Sequence, residues 1–196
     1  MSGKHSFVDD MLGAVMLCAY FVLFSFFLLF KQTSCGRDRT VRIWKVQEGS
    51  QLVCRAKPRT VSLDAISMIN DRTYVSGSES GTVSLWSVNK KKPIHNVRDA
   101  HNGKWITATA SLAHTDLIAT GSSDGALRLW RVDLNDSYLE EVAHLSVPGF
   151  INGLAFGSSG SVVVAAVGNE HRLGRWERMK SSQAKNGLQI IKLPKF

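Results

Sequence analysis

The sequence predicts an all-β fold assembled from repeated four-stranded units. Four tryptophans, Trp44, Trp86, Trp130 and Trp176, recur at near-even intervals of roughly 40–45 residues. Each closes a similar octet: Arg37-Asp-Arg-Thr-Val-Arg-Ile-Trp44, Glu79-Ser-Gly-Thr-Val-Ser-Leu-Trp86, Ser123-Asp-Gly-Ala-Leu-Arg-Leu-Trp130 and the weaker Asn169-Glu-His-Arg-Leu-Gly-Arg-Trp176. Past Ser34 the apolar residues alternate with polar ones in short runs closed by turn residues, the pattern of strands. No helical period of useful length interrupts them.

The elements follow in order. Met11 to Phe30 reads MLGAVMLCAYFVLFSFFLLF and carries no charge. Twenty such residues span about 30 Å as a helix, the depth of a bilayer core. The charges after it are Lys31, Arg37 and Arg39, which would leave the repeats in the cytosol. Ser34 to Asp38 reads as the end of a strand and its turn, with the strand leading into it missing. Two readings of residues 1–33 stay open: a transmembrane helix over 11–30, or a mis-spliced start joined to the repeats. The Trp86 unit is expected to run as strands 62–70, 73–78, 82–88 and 94–98. The Trp130 unit runs as 106–112, 117–121, 126–132 and 139–145. The Trp176 unit runs as 151–156, 162–167 and 172–177, with 187–193 as its outer strand.

This period and its closing tryptophan are those of a WD-repeat β-propeller, with one blade per repeat. The fold class expected is therefore a partial WD-repeat β-propeller over residues 34–196, about three full blades plus part of another, preceded by one hydrophobic helix. A ring of about seven blades needs on the order of 300 residues, and this chain has 196. An open set of blades has raw edges.

In such repeats the turn aspartate, here Asp38 and Asp124, accepts hydrogen bonds across a tight turn. It also engages a histidine, which binds a Ser or Thr that reaches the indole N–H. His101, Thr120, Asp124 and Trp130 are the one complete set; Trp44, Trp86 and Trp176 belong to degenerate ones. Such a buried, fully paired network fixes strand positions.

Catalytic signatures are absent from the sequence: no GxGxxG, Walker loop, GxSxG or HExxH. The six histidines show no metal-ligand spacing, so neither a cofactor, a metal nor a small-molecule substrate is expected. Three cysteines, Cys18, Cys35 and Cys54, form no CxxC and fit idle or buried thiols in a reducing compartment. The charge balance is basic, 24 Lys and Arg against 16 Asp and Glu, a net +8. From Arg172 onward the cations are Arg172, Arg175, Arg178, Lys180, Lys185, Lys192 and Lys195 against Glu177 alone. Such a patch suits phosphate backbones, acidic proteins or anionic lipid, and it also describes a solvated tail. The run Lys90-Lys91-Lys92 reads more readily as a solubilising loop than as a binding site.

Several stretches are more specific: CGRDRTVRIWKV (35–46), SQLV (50–53), SGSESGTVSLWSVNKKKP (76–93), TDLIATGS (115–122), GFINGLAF (149–156) and VGNEHRLGRWERMK (167–180). Together they resemble the C-terminal half of the propeller in the U3 small nucleolar RNA-interacting WD-repeat family. The resemblance covers about Ser34 to Leu193. It implies a non-catalytic subunit that binds U3 small nucleolar RNA within a box C/D ribonucleoprotein in the nucleolus. It also implies a part in the early cleavages that release 18S ribosomal RNA. On that reading Arg172, Arg175, Arg178 and Lys180 are the candidate RNA or partner contacts, with Arg172 and Arg178 sharing one face of a strand. The chain departs from the family at Met1 to Thr33, at Cys35, where glycine is usual, and at Cys54 to Thr60, which replaces a Gly-His turn. The competing reading is a membrane-anchored WD-repeat scaffold that binds cytosolic proteins.

Overall fold

The structure, a computed structural model, describes residues 25–27, 31–58, 60–113, 115–133, 135–172, 174–178 and 184–193. Strands dominate. The first sheet is β1 (Ser25–Phe27), β2 (Lys31–Cys35), β3 (Thr40–Lys45) and β4 (Ser50–Arg55), in that order. The second is β5 (Leu63–Met68), β6 (Thr73–Ser78), β7 (Val83–Ser87) and β8 (His95–Val97). The third is β9 (Ile106–Ser111), β10 (Leu117–Ser122), β11 (Ala126–Asp133) and β12 (Tyr138–Ser146). Every neighbouring pair is antiparallel, as short hairpin connections require.

The first sheet reaches further back than Ser34. Ser25–Phe27 pairs with Lys31–Thr33, so the strand expected to be missing is present, and these three residues are strand rather than part of a helix. The remainder of the hydrophobic stretch 11–30 lies outside the described residues. Among the described residues no helix is long and apolar enough to cross a membrane.

The fourth sheet corrects the expected strand order. It holds β13 (Phe150–Phe156), β14 (Val162–Gly168) and β17 (Gly187–Lys192), with β14 paired directly to β17. Residues 172–177 are not its third strand. The chain leaves the sheet after Gly168 and folds β15 (Glu170–His171) on β16 (Gly174–Arg178) as a separate ribbon. It then returns at Gly187. The main-chain N–H of Asn169 donates to the Asn186 side chain, 2.9 Å away, closing the neck of this excursion.

Consecutive sheets bury their faces against one another in three clusters. Val41, Ile43 and Cys54 meet Leu63, Ile66, Tyr74 and Trp86. Val75, Val83 and Leu85 meet Ile106, Ile118 and Trp130. Leu127 and Leu129 meet Ile151, Val163 and Ala165. Trp44, Trp86 and Trp130 are essentially buried. At about 150–250 Å² each and about 25 cal/mol/Å², each contributes up to about 4–6 kcal/mol of burial. The sheets approach closely at Gly121, where a Cβ would stand 2.4 Å from Ile151 Cγ2, and at Gly77, where it would stand 2.4 Å from Ile106 Cγ2.

Candidate functional site

The repeat signature folds into the network its spacing predicts. His101 is fully buried, with Nδ1 3.1 Å from Asp124 Oδ2 and Nε2 2.8 Å from Thr120 Oγ1. The Trp130 indole N–H donates to the same hydroxyl at 2.8 Å. One arrangement gives every proton an acceptor: Nδ1–H donates to Asp124, and the Thr120 hydroxyl donates to Nε2 while accepting from Trp130. Burial works to raise the Asp124 carboxyl; His101, the Ala126 N–H and Arg128 outweigh it and hold the group below the usual carboxylate range. In the other two sheets a serine replaces the threonine. Trp44 donates to Ser34 Oγ at 3.0 Å and Trp86 to Ser76 Oγ at 2.9 Å. Asp38 accepts from the Thr40 N–H at 3.1 Å, as its turn role requires. Ser80 takes the corresponding place in the second sheet and bonds Ser78 Oγ at 3.0 Å. The residue after each is left-handed: Arg39 (φ 64°), Gly81 (φ 71°) and Gly125 (φ 73°). Glycine adopts that conformation freely, whereas Arg39 does so at some strain.

A second polar assembly gathers where the innermost strands begin. Each of β5, β9 and β13 has a β-bulge near its start, and the residue skipped by the pairing is Asp64, Thr107 or Asn152. A bulge re-aims the side chain it carries. Asp64 is 1% exposed and accepts from the Ser62 hydroxyl and, at 2.7 Å, from the Trp105 indole N–H. Burial pushes its carboxyl up, and those two bonds only partly offset that. The Asn152 amide grips the excursion from both sides: its Nδ2 donates to the Glu170 carbonyl and its Oδ1 accepts from the Arg172 N–H, both at 2.9 Å. His171 stacks on Trp105, centroids 4.1 Å apart, and meets Phe150 edge-on at 6.0 Å. Burial first, then the Arg172 charge, lower the His171 imidazole to about 4. The Arg172 guanidinium donates to the Asp64 carbonyl at 2.9 Å. The ribbon thus ties the fourth sheet to the second across the start of the third.

Residues 91–131 match the family model described as WD domain, G-beta repeat, and they contain the whole His101–Thr120–Asp124–Trp130 network. The chain folds as part of a WD-repeat propeller. The WD-repeat chain is 44% identical over 141 residues to human U3 small nucleolar RNA-interacting protein 2, covering 67% of itself and 29% of that relative. It is 38% identical over 182 residues to U3 snoRNP-associated protein-like YAOH of rice (Oryza sativa subsp. japonica), covering 79% of itself and 35% of that relative. It therefore spans about a third of the length of these curated relatives. A solved structure titled "Structure of U3-55K" superposes with a TM-score of 0.79 at 42% identity, over 83% of this chain and 52% of that one. The resemblance read from the sequence holds.

The remaining expected site residues of the WD-repeat chain fall in and around the ribbon. Arg172 sits in the turn between β15 and β16, and Arg178 ends β16 opposite Glu170. The two are therefore not neighbours on one strand face, as two-residue spacing along a single strand would make them. Arg175 and Trp176 lie on β16, and their side chains fall outside the described set; Lys180 lies outside the described residues. In the fourth sheet the place across from Val163, which the tryptophan takes in the other sheets, belongs to Ile191. A sequence signal marks this. Each buried indole finds its hydroxyl ten residues earlier, whereas the residue ten before Trp176 is Ala166. Asp64, Trp105 and Asn152 carry no repeat signature and are visible only once the bulges are in place.

Proposed function

We propose that this chain acts as a non-catalytic WD-repeat scaffold in a U3 small nucleolar ribonucleoprotein, binding U3 RNA and serving 18S ribosomal RNA maturation in the nucleolus. The observation that carries this reading is the 44% identity to a U3 small nucleolar RNA-interacting protein through the repeats. The buried histidines are engaged, His101 by Asp124 and Thr120 and His171 by Trp105 and Phe150. Lys90, Lys91 and Lys92 are among the exposed cations. A propeller of this kind positions RNA through phosphate contacts while the RNA's own pairing carries sequence. Box C/D proteins are the partners expected beside it.

The test is immunoprecipitation of the tagged full chain from cells, with quantification of U3 RNA against an unrelated box C/D RNA and imaging of the tag. Enrichment of U3 over the other RNA, with nucleolar signal, is the expected result. Equal recovery of both RNAs, or signal confined to membranes, overturns the reading.

A further inference from the structure

The loop holding Lys90, Lys91 and Lys92 is tied down by its main chain. The Lys91 carbonyl accepts from the Arg55 N–H at 3.0 Å, and the Lys90 carbonyl faces the Cys54 thiol at 3.6 Å. Both donors belong to β4 of the first sheet, so the second sheet's lysine loop is locked to its neighbour. All three lysine side chains remain exposed, as do those of Arg55, Lys57 and Arg72. None of these six cations makes a salt bridge among the described residues. A loop that only solubilises has no need of a fixed backbone.

Two further features sit beside these charges. Arg72 and Lys90 line one pocket with Ser87, Asn89 and Ser137, which add hydroxyl and amide donors. The next residue, Tyr138, is half exposed and tilts over His95, centroids 5.0 Å apart. The charge of Lys57 also reaches His95 and, after burial, helps lower its imidazole. The acids beside this rim are Asp71, Asp136, Glu140 and Asp133, the last across the strand pair from Tyr138, four against six cations, so the balance stays positive. Cations on an anchored loop, a pocket lined in part by polar side chains and an accessible aromatic face are together the requirements of a single-stranded nucleic-acid platform. An acidic peptide would use the cations and leave the ring idle.

We propose that this rim binds the backbone of single-stranded RNA, with Arg72 and Lys90 seating one phosphate and Tyr138 stacking a base. The proposal rests on the reading of the chain as an RNA-binding scaffold, and it concerns a surface separate from the Glu170–Arg178 ribbon.

The test uses the full chain and a labelled oligouridine of about twenty nucleotides, titrated at several salt concentrations. Lys90→Ala/Lys91→Ala/Lys92→Ala should lower the log–log salt slope by about 0.7 per lost contact, and the triple arginine variant should restore it. Tyr138→Ala should weaken binding about tenfold while leaving the slope unchanged. Because the loop's anchoring bonds are main-chain, all variants should melt with the parent chain. An unchanged slope in the triple alanine variant overturns the proposal. So does equal competition by polyglutamate together with a silent Tyr138→Ala, which would make the rim a dock for acidic proteins. If oligouridine binding depends on the rim but cellular U3 RNA is not enriched, the U3 assignment fails and this surface stands; the reverse pattern removes the surface alone.

Discussion

Arg172 donates to the main-chain carbonyl of Asp64 over 2.9 Å, across 108 residues of sequence. The same turn is gripped by Asn152, whose amide satisfies a carbonyl on one side and an N–H on the other. Asn152→Leu should therefore loosen the ribbon more than Arg172→Ala, because it removes two hydrogen bonds to the main chain rather than one. Losing such a bond costs about 1 kcal/mol. Limited proteolysis should show new cleavage within 170–178 in the Asn152 variant and a lower melting temperature. Cleavage confined to the Arg172 variant would reverse that ranking.

Thr120 serves two partners in the third sheet, whereas Ser76 serves one in the second. Thr120→Val keeps the shape and removes the hydroxyl, stranding both the Trp130 indole N–H and His101 Nε2. At about 1–3 kcal/mol per stranded group, it should cost roughly twice as much as Ser76→Ala, which strands only the Trp86 N–H. Trp130→Ala should cost about 3–5 kcal/mol by adding a cavity. Urea midpoints of the three variants measure the order, and equal midpoints for Thr120→Val and Ser76→Ala would refute it.

Much of the second and third sheets was legible in the sequence. The expected strands 73–78, 82–88, 117–121 and 126–132 match β6, β7, β10 and β11 within a residue or two, because alternation there is regular and the Asp or Ser turn is sharp. The first sheet was obscured by its own hydrophobicity. In a run such as FSFFLLF no polar residue sets a period, so Ser25–Phe27 reads as helix until its pairing with β2 is known. The fourth sheet was misread because Trp176 ends an octet like the others. Across β14, however, Ala165 stands where Thr120 and Ser76 stand in their sheets, with no hydroxyl for an indole, and Ile191 packs there instead. The bulge residues were invisible to the repeat pattern, since Asp64, Thr107 and Asn152 share a place in the fold and no side-chain type.

Gly121 and Gly77 hold equivalent places against Ile151 and Ile106. An alanine at either would set its Cβ 2.4 Å from a branched side chain, and overpacking of this sort costs about 1–3 kcal/mol. Gly187, by contrast, opens β17 with nothing within 4 Å of the place its Cβ would take. Gly121→Ala and Gly77→Ala should each lower the melting temperature, and Gly187→Ala should not. A fall in the Gly187 variant matching theirs would mean that backbone freedom, rather than close approach, decides these sites.

Acid stability should carry the signature of His171. Its folded value is about 4 against an ordinary histidine value of 6.5, so between these pH values the unfolded chain binds the extra proton. Stability is then full above about pH 6.5 and declines as pH falls towards 4, by about 3 kcal/mol in all. Asp64 acts in the opposite sense just above pH 3.8, because burial raises its carboxyl and the folded chain takes up its proton first. Asp124, held low, loses its contribution only as pH falls below 3.8. His171→Phe keeps a ring on Trp105 and removes the titration. Urea midpoints against pH should fall less steeply for this variant between pH 6.5 and 4, and parallel curves would assign the acid loss elsewhere.

The outer edge of β17 has no strand beside it among the described residues, although each of the first three sheets has four strands. Along β17, Ile191 packs inward, while Leu188 and Ile190 are 72% and 71% exposed. They share one face by the two-residue side-chain period. An unpaired edge beside an exposed apolar pair is a template for adding another strand. The full chain should therefore self-associate as its concentration rises, through this edge. Leu188→Lys/Ile190→Lys leaves Ile191 in the core and places charge on the open face, so it should reduce association without lowering the melting temperature. Light scattering over a concentration series measures this. Association that persists unchanged in the double-lysine variant would move the contact to another surface, with the first sheet's strands the next to test.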